Sequence, residues 1–199
     1  DRRSRNLTPG TLAVLEDEAR QSLGLVAVNP GSKIICRMLD RDPDADINVA
    51  WFKARLARAL HMRETLFETP YYRLVHAEAD GLPGVTIDRF GDICVMQPNA
   101  AWAEVQLEQL TEALVQETGV QTVLKNASGR TRGLEGLDDQ SAVLHGVAPD
   151  APVPVPMNGA TYMADLTGGQ KTGLYYDQRS NQAFAAGLVR PGARVLDVF

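Results

Sequence analysis

The segment 71–147 constrains the fold of this 199-residue chain more tightly than any other. "VTIDRFGDICVMQ" consists of two apolar runs around a short polar turn at Arg89–Asp92, the pattern of a β-hairpin. "YYRLVHAEA" ahead of it is a strand candidate, and "DGLPG" between them supplies the glycines and proline that a demanding turn needs. "AAWAEVQLEQLTEALVQETG" follows as an amphipathic helix. Ala103, Leu107, Leu110 and Leu114 line its apolar side, and Gly119 sits where a C′ glycine belongs. "VQTVLKN" and "SAVLHGV" then read as two further strands. The order is strand–strand–helix–strand–strand, a module of about 100 residues whose helix must bury its stripe against a sheet.

Shorter elements flank this module. "TLAVLED", "LGLVAVNP" and "KIICRML" are apolar runs broken by Gly10, Gly24 and the Asn29–Ser32 cluster, a pattern of short strands from a small barrel or sandwich. A helix is predicted from Ile47 to about Leu66 with Asp46 as N-cap, Val49, Phe52, Leu56, Ala59 and Leu60 forming its apolar face. Its Lys53, Arg55, Arg58 and Arg63 are either a solvated face or a phosphate contact. "APDAPVPVPMNG" reads as an extended connection, because each proline fixes φ and removes a donor. "ATYMADL" is a strand candidate. A helix from about Arg179 to Val189, a turn at Pro191–Gly192 and an apolar strand "ARVLDVF" resemble the opening of a Rossmann-like unit.

Composition excludes some function classes. The chain is 44% hydrophobic and 23% charged, ordinary for a globular protein. No apolar run reaches the roughly 20 residues of a membrane span. The first ten residues, "DRRSRNLTPG", lack an apolar signal region, so the expected setting is cytoplasmic. The net charge of −5 argues against a wholly basic nucleic-acid binder but leaves room for a local basic face. Cys36 and Cys94 lie far apart in hydrophobic runs and are expected to be buried free thiols.

Four stretches, in order, carry a family resemblance: "LGLVAVNPGSKIICRML", "YYRLVHAEADGLPGVTIDRFGD", "QKTGLYYDQRSN" and "RVLDVF". On these the chain resembles the large-subunit ribosomal RNA methyltransferase I family over nearly its whole length. The resemblance implies a mixed α+β and α/β protein: the C-terminal part of a PUA β-barrel over 1–41, a linker helix and central β-β-α-β-β domain over 42–164, and the start of a Rossmann-like methyltransferase domain over 165–199. It implies S-adenosylmethionine as cofactor, ribosomal RNA as partner, and methylation at the 5-position of a cytosine. That carbon is a weak nucleophile, and the usual solution is transient addition of a cysteine thiolate to the ring. The nucleophilic cysteine, the glycine-rich cofactor loop and the later Asp-Pro-Pro-type motif are expected to lie outside this sequence. Neither Cys36 nor Cys94 matches the nucleophile.

Within the resemblance, "QKTGLYYDQRSN" lines the S-adenosylmethionine pocket, and the residues suit that role. Gly168, Gly169 and Gly173 permit close backbone approach. Asp177 offers a carboxylate to the cationic sulfonium or amino group, and Tyr175 or Tyr176 a π face. Lys171 and Thr172 suit a carboxylate or phosphate; Gln178 and Arg179 suit polar ends of cofactor or RNA. Asp197 and Phe199 fall at the strand's carboxyl end, where open α/β sheets place ligands. The competing reading is that Asp177 caps the following helix and Arg179 is solvated. For RNA, "KNASGRTRGLEG" brings Lys125, Arg130 and Arg132 together, with Arg73 a further candidate.

Other features are weaker. Glu78 and Asp80 would share a face of a strand, but no third ligand is near, so no metal is expected; either Glu78 pairs with Arg73 or Arg89, or, as the resemblance implies, the loop faces RNA or the active site. His61 and His145 read as ordinary histidines. Two other classes stay open beside the methyltransferase: a non-catalytic RNA-binding module, and a different cofactor enzyme such as a nicotinamide-dependent one. Oligomeric state, including a homodimer, is open as well.

Overall fold

The computed structural model describes residues 6–168, 172–196 and 198. An antiparallel three-stranded sheet comes first, β1 (Thr11–Glu16), β2 (Ser22–Val28) and β3 (Cys36–Asp40). Helix α1 (Val49–Leu66) leads to a five-stranded sheet of order β4-β5-β6-β7-β8. Its strands are β4 (Tyr71–His76), β5 (Val85–Phe90), β6 (Ile93–Pro98), β7 (Thr122–Lys125) and β8 (Ala142–His145). Three strands therefore precede the central helical segment, the candidate at Tyr71 and both arms of the hairpin, one more than the strand–strand–helix–strand–strand order counted. Only β6 and β7 run parallel, and the crossover between them is helical, α2 (Ala101–Val105) and α3 (Leu107–Thr118). The one helix expected here is broken at Gln106, whose ψ of 14° departs from helical geometry. Gly119 closes α3 at φ +67° as its sequence position predicts.

Strand alternation divides the sheet's side chains between two cores. Val85, Ile87, Cys94, Met96 and Val123 face the helices, joining Phe52 and Leu56 of α1, Leu110 and Leu114 of α3, and Trp102 of α2. Phe52 stacks on Trp102 with centroids 6.1 Å apart, and Trp51 meets both rings edge-on. The intervening residues Phe90, Val95 and Leu124 face the other side. There they meet Val155, Met157, Ala164, Leu166 and Tyr176. Both faces of β5 and β6 are covered; β6 is apolar except at Gln97, while β5 carries Thr86, Asp88 and Arg89 among its apolar residues.

Several expectations are corrected. The N-cap of α1 is Asn48, whose Oδ1 accepts from the Trp51 N–H at 3.0 Å; Asp46 instead accepts from the Asn48 amide. The proline-rich connection is a strand, β9 (Val153–Met157), paired with β10 (Ala160–Ala164). Pro154 and Pro156 occupy alternate positions of this two-stranded hairpin, so neither has to donate to the ladder. Asn158 and Gly159 turn it with φ of +55° and +75°, as a two-residue hairpin turn of the primed type requires. Cys36 is exposed; Cys94 is buried, and burial pushes its thiol up to about 12. Helix α5 (Arg179–Gly187) forms as expected, but residues 193–196 are not a strand, and Leu196 is 85% exposed. A lone strand leaves its ladder groups unpaired, and no described strand lies beside it.

Candidate functional site

The stretch 172–179 covers the second face of the central sheet along β4 and β5. Arg73 of β4 stands directly opposite Asp88 of β5. Arg73 donates through Nε and Nη2 to the two carboxylate oxygens at 2.9 and 3.1 Å, a bidentate pair. Asp88 is 0% exposed and also accepts the Thr172 hydroxyl at 2.6 Å. Hydrogen bonding to Asp88 raises the Arg73 pKa against the opposing effect of burial, and the charges of Asp88 and Asp177 raise it further. Asp177 therefore lies within electrostatic reach of Arg73.

Two further anchors hold the stretch. Tyr176 is buried against Phe90 and donates its hydroxyl to the Arg89 carbonyl at 2.8 Å; burial raises its phenol well above the ordinary range. Arg179 donates to the Tyr71 carbonyl at 2.6 Å and lies 4.7 Å from the Phe67 ring centroid. Burial lowers its pKa, partly offset by Tyr176. The Asn158 amide donates to the Arg179 carbonyl, tying the hairpin turn to the start of α5. Gly173, at φ +101°, lies so close to the Asp165 carbonyl that a Cβ would approach it to 2.7 Å.

The predicted cofactor residues thus divide. Thr172 and Tyr176 are buried in contacts to the sheet, and Arg179 is half-buried in such contacts. Asp177 and Gln178 are exposed. The capping reading of Asp177 is not what forms: the N-cap of α5 is Gln178, with no side-chain cap bond. Lys171, Asp197 and Phe199 lie outside the described residues, as does Gly169.

The predicted RNA contacts divide as well. Arg132, on α4 (Arg130–Leu134), is 1% exposed. It donates to Glu104 at 2.9 Å, to the Asp138 carbonyl at 2.7 Å and to the Pro98 carbonyl. Lys125 is buried and pairs with the other oxygen of Glu104 at 2.7 Å. Arg73 is held by Asp88. Arg130 alone of the four is exposed. On α1, Arg55 pairs with Asp40 and lies over the Trp51 ring, Arg63 pairs with Asp80, and Arg58 is exposed.

Sequence reasoning missed two carboxylates. One is Asp88. The other is Glu135, just after α4, which accepts from Asn29, Ser32 and Arg37 at 2.9, 2.7 and 2.9 Å. These three partners lie in and after the β2–β3 turn, so Glu135 fastens the first sheet to the central domain. Arg37 also pairs with Glu78, which is thus not the partner of Arg73 or Arg89. Glu78 and Asp80 lie in a 3-10 turn, Ala77–Asp80, and among the described residues no cluster of His, Cys, Asp and Glu suits a metal. No described helix is long and apolar enough to cross a membrane.

The fold of this chain is shared by part of two solved structures. It superposes on 47% of a Streptococcus mutans protein assigned as a SAM-dependent methyltransferase, with a TM-score of 0.77 over 92% of this chain at 22% identity. A protein likewise assigned as a methyltransferase, solved with SAH bound, gives a TM-score of 0.76 at 21% identity. Residues 1–41 match the family described as a PUA-like domain. Over 180 residues the chain is 37% identical to the ribosomal RNA large subunit methyltransferase I of Shewanella denitrificans, covering 89% of this chain and 45% of that protein. The protein of the same name from Vibrio vulnificus is 37% identical over 171 residues. The chain is a relative of the ribosomal RNA large subunit methyltransferase I proteins, and it spans a little under half their length.

Proposed function

We propose that this chain is part of an S-adenosylmethionine-dependent methyltransferase of large-subunit ribosomal RNA in the cytoplasm, acting at the 5-position of a cytosine. The observation that carries the reading is the seating of 172–179: its buried residues anchor it to β4 and β5 and leave the Asp177 carboxylate exposed beside them. An exposed carboxylate on a fixed support suits a cationic ligand. The name of the relatives and the bound SAH in one structural neighbour support the same choice of ligand and substrate.

The donor set fits this cofactor in part. Asp177 would meet the positive charge of the methionine moiety, with Gln178 at its polar end. Thr172, Tyr176 and Arg179 would support that surface from behind. The cofactor, when bound, supplies an electrophilic methyl group. The protein's task is to hold it against an exposed base, since a base must leave its stack to be modified. For RNA, Arg130 and its glycine-containing loop present a free positive charge; Lys125 and Arg132 brace that loop from inside. The 1–41 segment would add an RNA-contacting surface.

The test is methyl transfer. The whole protein is incubated with isotopically labelled S-adenosylmethionine and unmodified ribosomal RNA, and the RNA is digested and read by nucleoside mass spectrometry. Label in 5-methylcytidine is the expected result. Label in another nucleoside would overturn the choice of target atom, and absence of label would overturn the methyltransferase reading. RNA binding without affinity for S-adenosylhomocysteine would favour a non-catalytic RNA-binding module.

A further inference from the structure

We propose that Asp88 is a positioning residue for the cofactor stretch, acting through Thr172 and Arg73 and never touching the ligand itself. The inference rests on the reading of 172–179 as cofactor-binding and adds a residue from the central domain to that site.

The geometry is specific. Asp88 is 0% exposed, on the face of β5 that the stretch covers, and its neighbour on that face is Phe90, which packs on Tyr176. A buried carboxylate is costly unless its lone pairs are filled. Arg73 fills two sites and the Thr172 hydroxyl a third. Thr172 is itself 0% exposed, so its hydroxyl faces the sheet and not the solvent side where a ligand would lie. A hydrogen bond to an ionised group is stronger and more directional than a neutral one. It therefore fixes the first residue of the stretch relative to the sheet, as Tyr176 fixes the fifth. Asp177, next along, has no side-chain cap role to orient it. Its position follows from these anchors, and Arg73, held by Asp88, supplies a positive charge within electrostatic reach of it. The chain of charges runs Asp88, Arg73, Asp177, alternating in sign from the buried sheet to the exposed surface.

Two of these residues sit in the module that looks least concerned with chemistry, so the central domain contributes to cofactor geometry as well as to support. The proposal moves Arg73 from an RNA contact to this network.

The test is calorimetric titration of S-adenosylhomocysteine into the whole protein and its Thr172→Val, Thr172→Ser and Asp88→Asn variants, well below their melting temperatures. Thr172→Val removes the hydroxyl while preserving shape. It is expected to weaken binding about tenfold, the scale of one lost hydrogen bond to a buried charge. Thr172→Ser should restore affinity to within about twofold. Asp88→Asn combined with Thr172→Val should be no weaker than the worse single variant, because the two act as one unit. Should Asp88→Asn fail to fold, the two Thr172 variants decide alone. Unchanged affinity in Thr172→Val, even with a lowered melting temperature, would overturn the proposal and leave Asp88 a purely structural residue. A wild-type protein that does not bind S-adenosylhomocysteine would overturn the functional reading, and this inference with it.

Discussion

Asp88 and Glu135 are both buried carboxylates that fasten a neighbouring segment to the central domain, and they do so by opposite routes. Asp88 sits within a strand and reaches outward to a stretch that covers its own sheet. Glu135 sits on a loop and receives donors from the first sheet, Asn29, Ser32 and Arg37. The strand gives Asp88 a fixed position and a cross-strand arginine as permanent counterion. Glu135 depends on contacts that form only when the two sheets meet. The first arrangement suits a site whose geometry must be held closely. The second suits the docking of one preformed unit on another. Arg132, three residues before Glu135, locks α4 to Glu104 and Asp138, so the loop that carries Glu135 is itself anchored.

The largest test of this contrast is Asp88→Ala. It leaves the partly buried Arg73 guanidinium without its counterion, which should cost up to about 3 kcal/mol of global stability. Denaturant unfolding checks it, and a loss below about 1 kcal/mol would show that the fold does not depend on the Asp88 carboxylate. Glu135→Gln should be milder, about 1–2 kcal/mol, since the amide oxygen can still accept. Its effect should be local: faster hydrogen exchange in β1–β3 and little change in β4–β6. Uniform loss of protection would show that the first sheet and the central domain unfold together.

The pH dependence sharpens the comparison further. Burial acts to raise the Glu135 pKa, but hydrogen bonds from Ser32, Asn29 and Arg37 outweigh it, and the net shift is downward. A depressed folded pKa contributes stability above the unfolded value, near 4.5, and that contribution is lost as pH falls through the folded value. The stability difference between wild type and Glu135→Gln should therefore shrink on acidification from neutrality to below this range. A difference that stays constant would mean that folding does not shift the Glu135 pKa. The smallest expected effect on stability is Arg130→Ala, within about 0.5 kcal/mol. Its effect should appear instead in RNA binding, with the slope of log affinity against log salt reduced by about one. An unchanged slope would remove Arg130 from the RNA surface.

Much of the fold was legible in local pattern. The β5–β6 hairpin, the amphipathic stripe of α3 and the closing Gly119 all follow from residues a few positions apart. The stretch 172–179 was singled out by its resemblance to a family, and its anchoring was not legible in the sequence. The pairing of Arg73 with Asp88 depends on β4–β5 register across the Ala77–Gly84 turn and on an irregularity between Arg73 and Val75. Arg132 reads as exposed because glycine and polar residues surround it in sequence, while two of its acceptors, on Pro98 and Glu104, lie 34 and 28 residues away. Pro154 and Pro156 read as strand breakers because their spacing says nothing about which edge of the strand is paired. The strand expected at 193–199 had the right composition, but composition alone supplies no neighbour.

The central claim is that 172–179 forms a cofactor surface held by the central sheet. Hydrogen exchange of the whole protein with and without S-adenosylhomocysteine tests it most directly. The account predicts ligand-dependent protection concentrated in 172–182, with a smaller gain along β4 and β5. Binding that protects other segments and leaves 172–182 unchanged would contradict it.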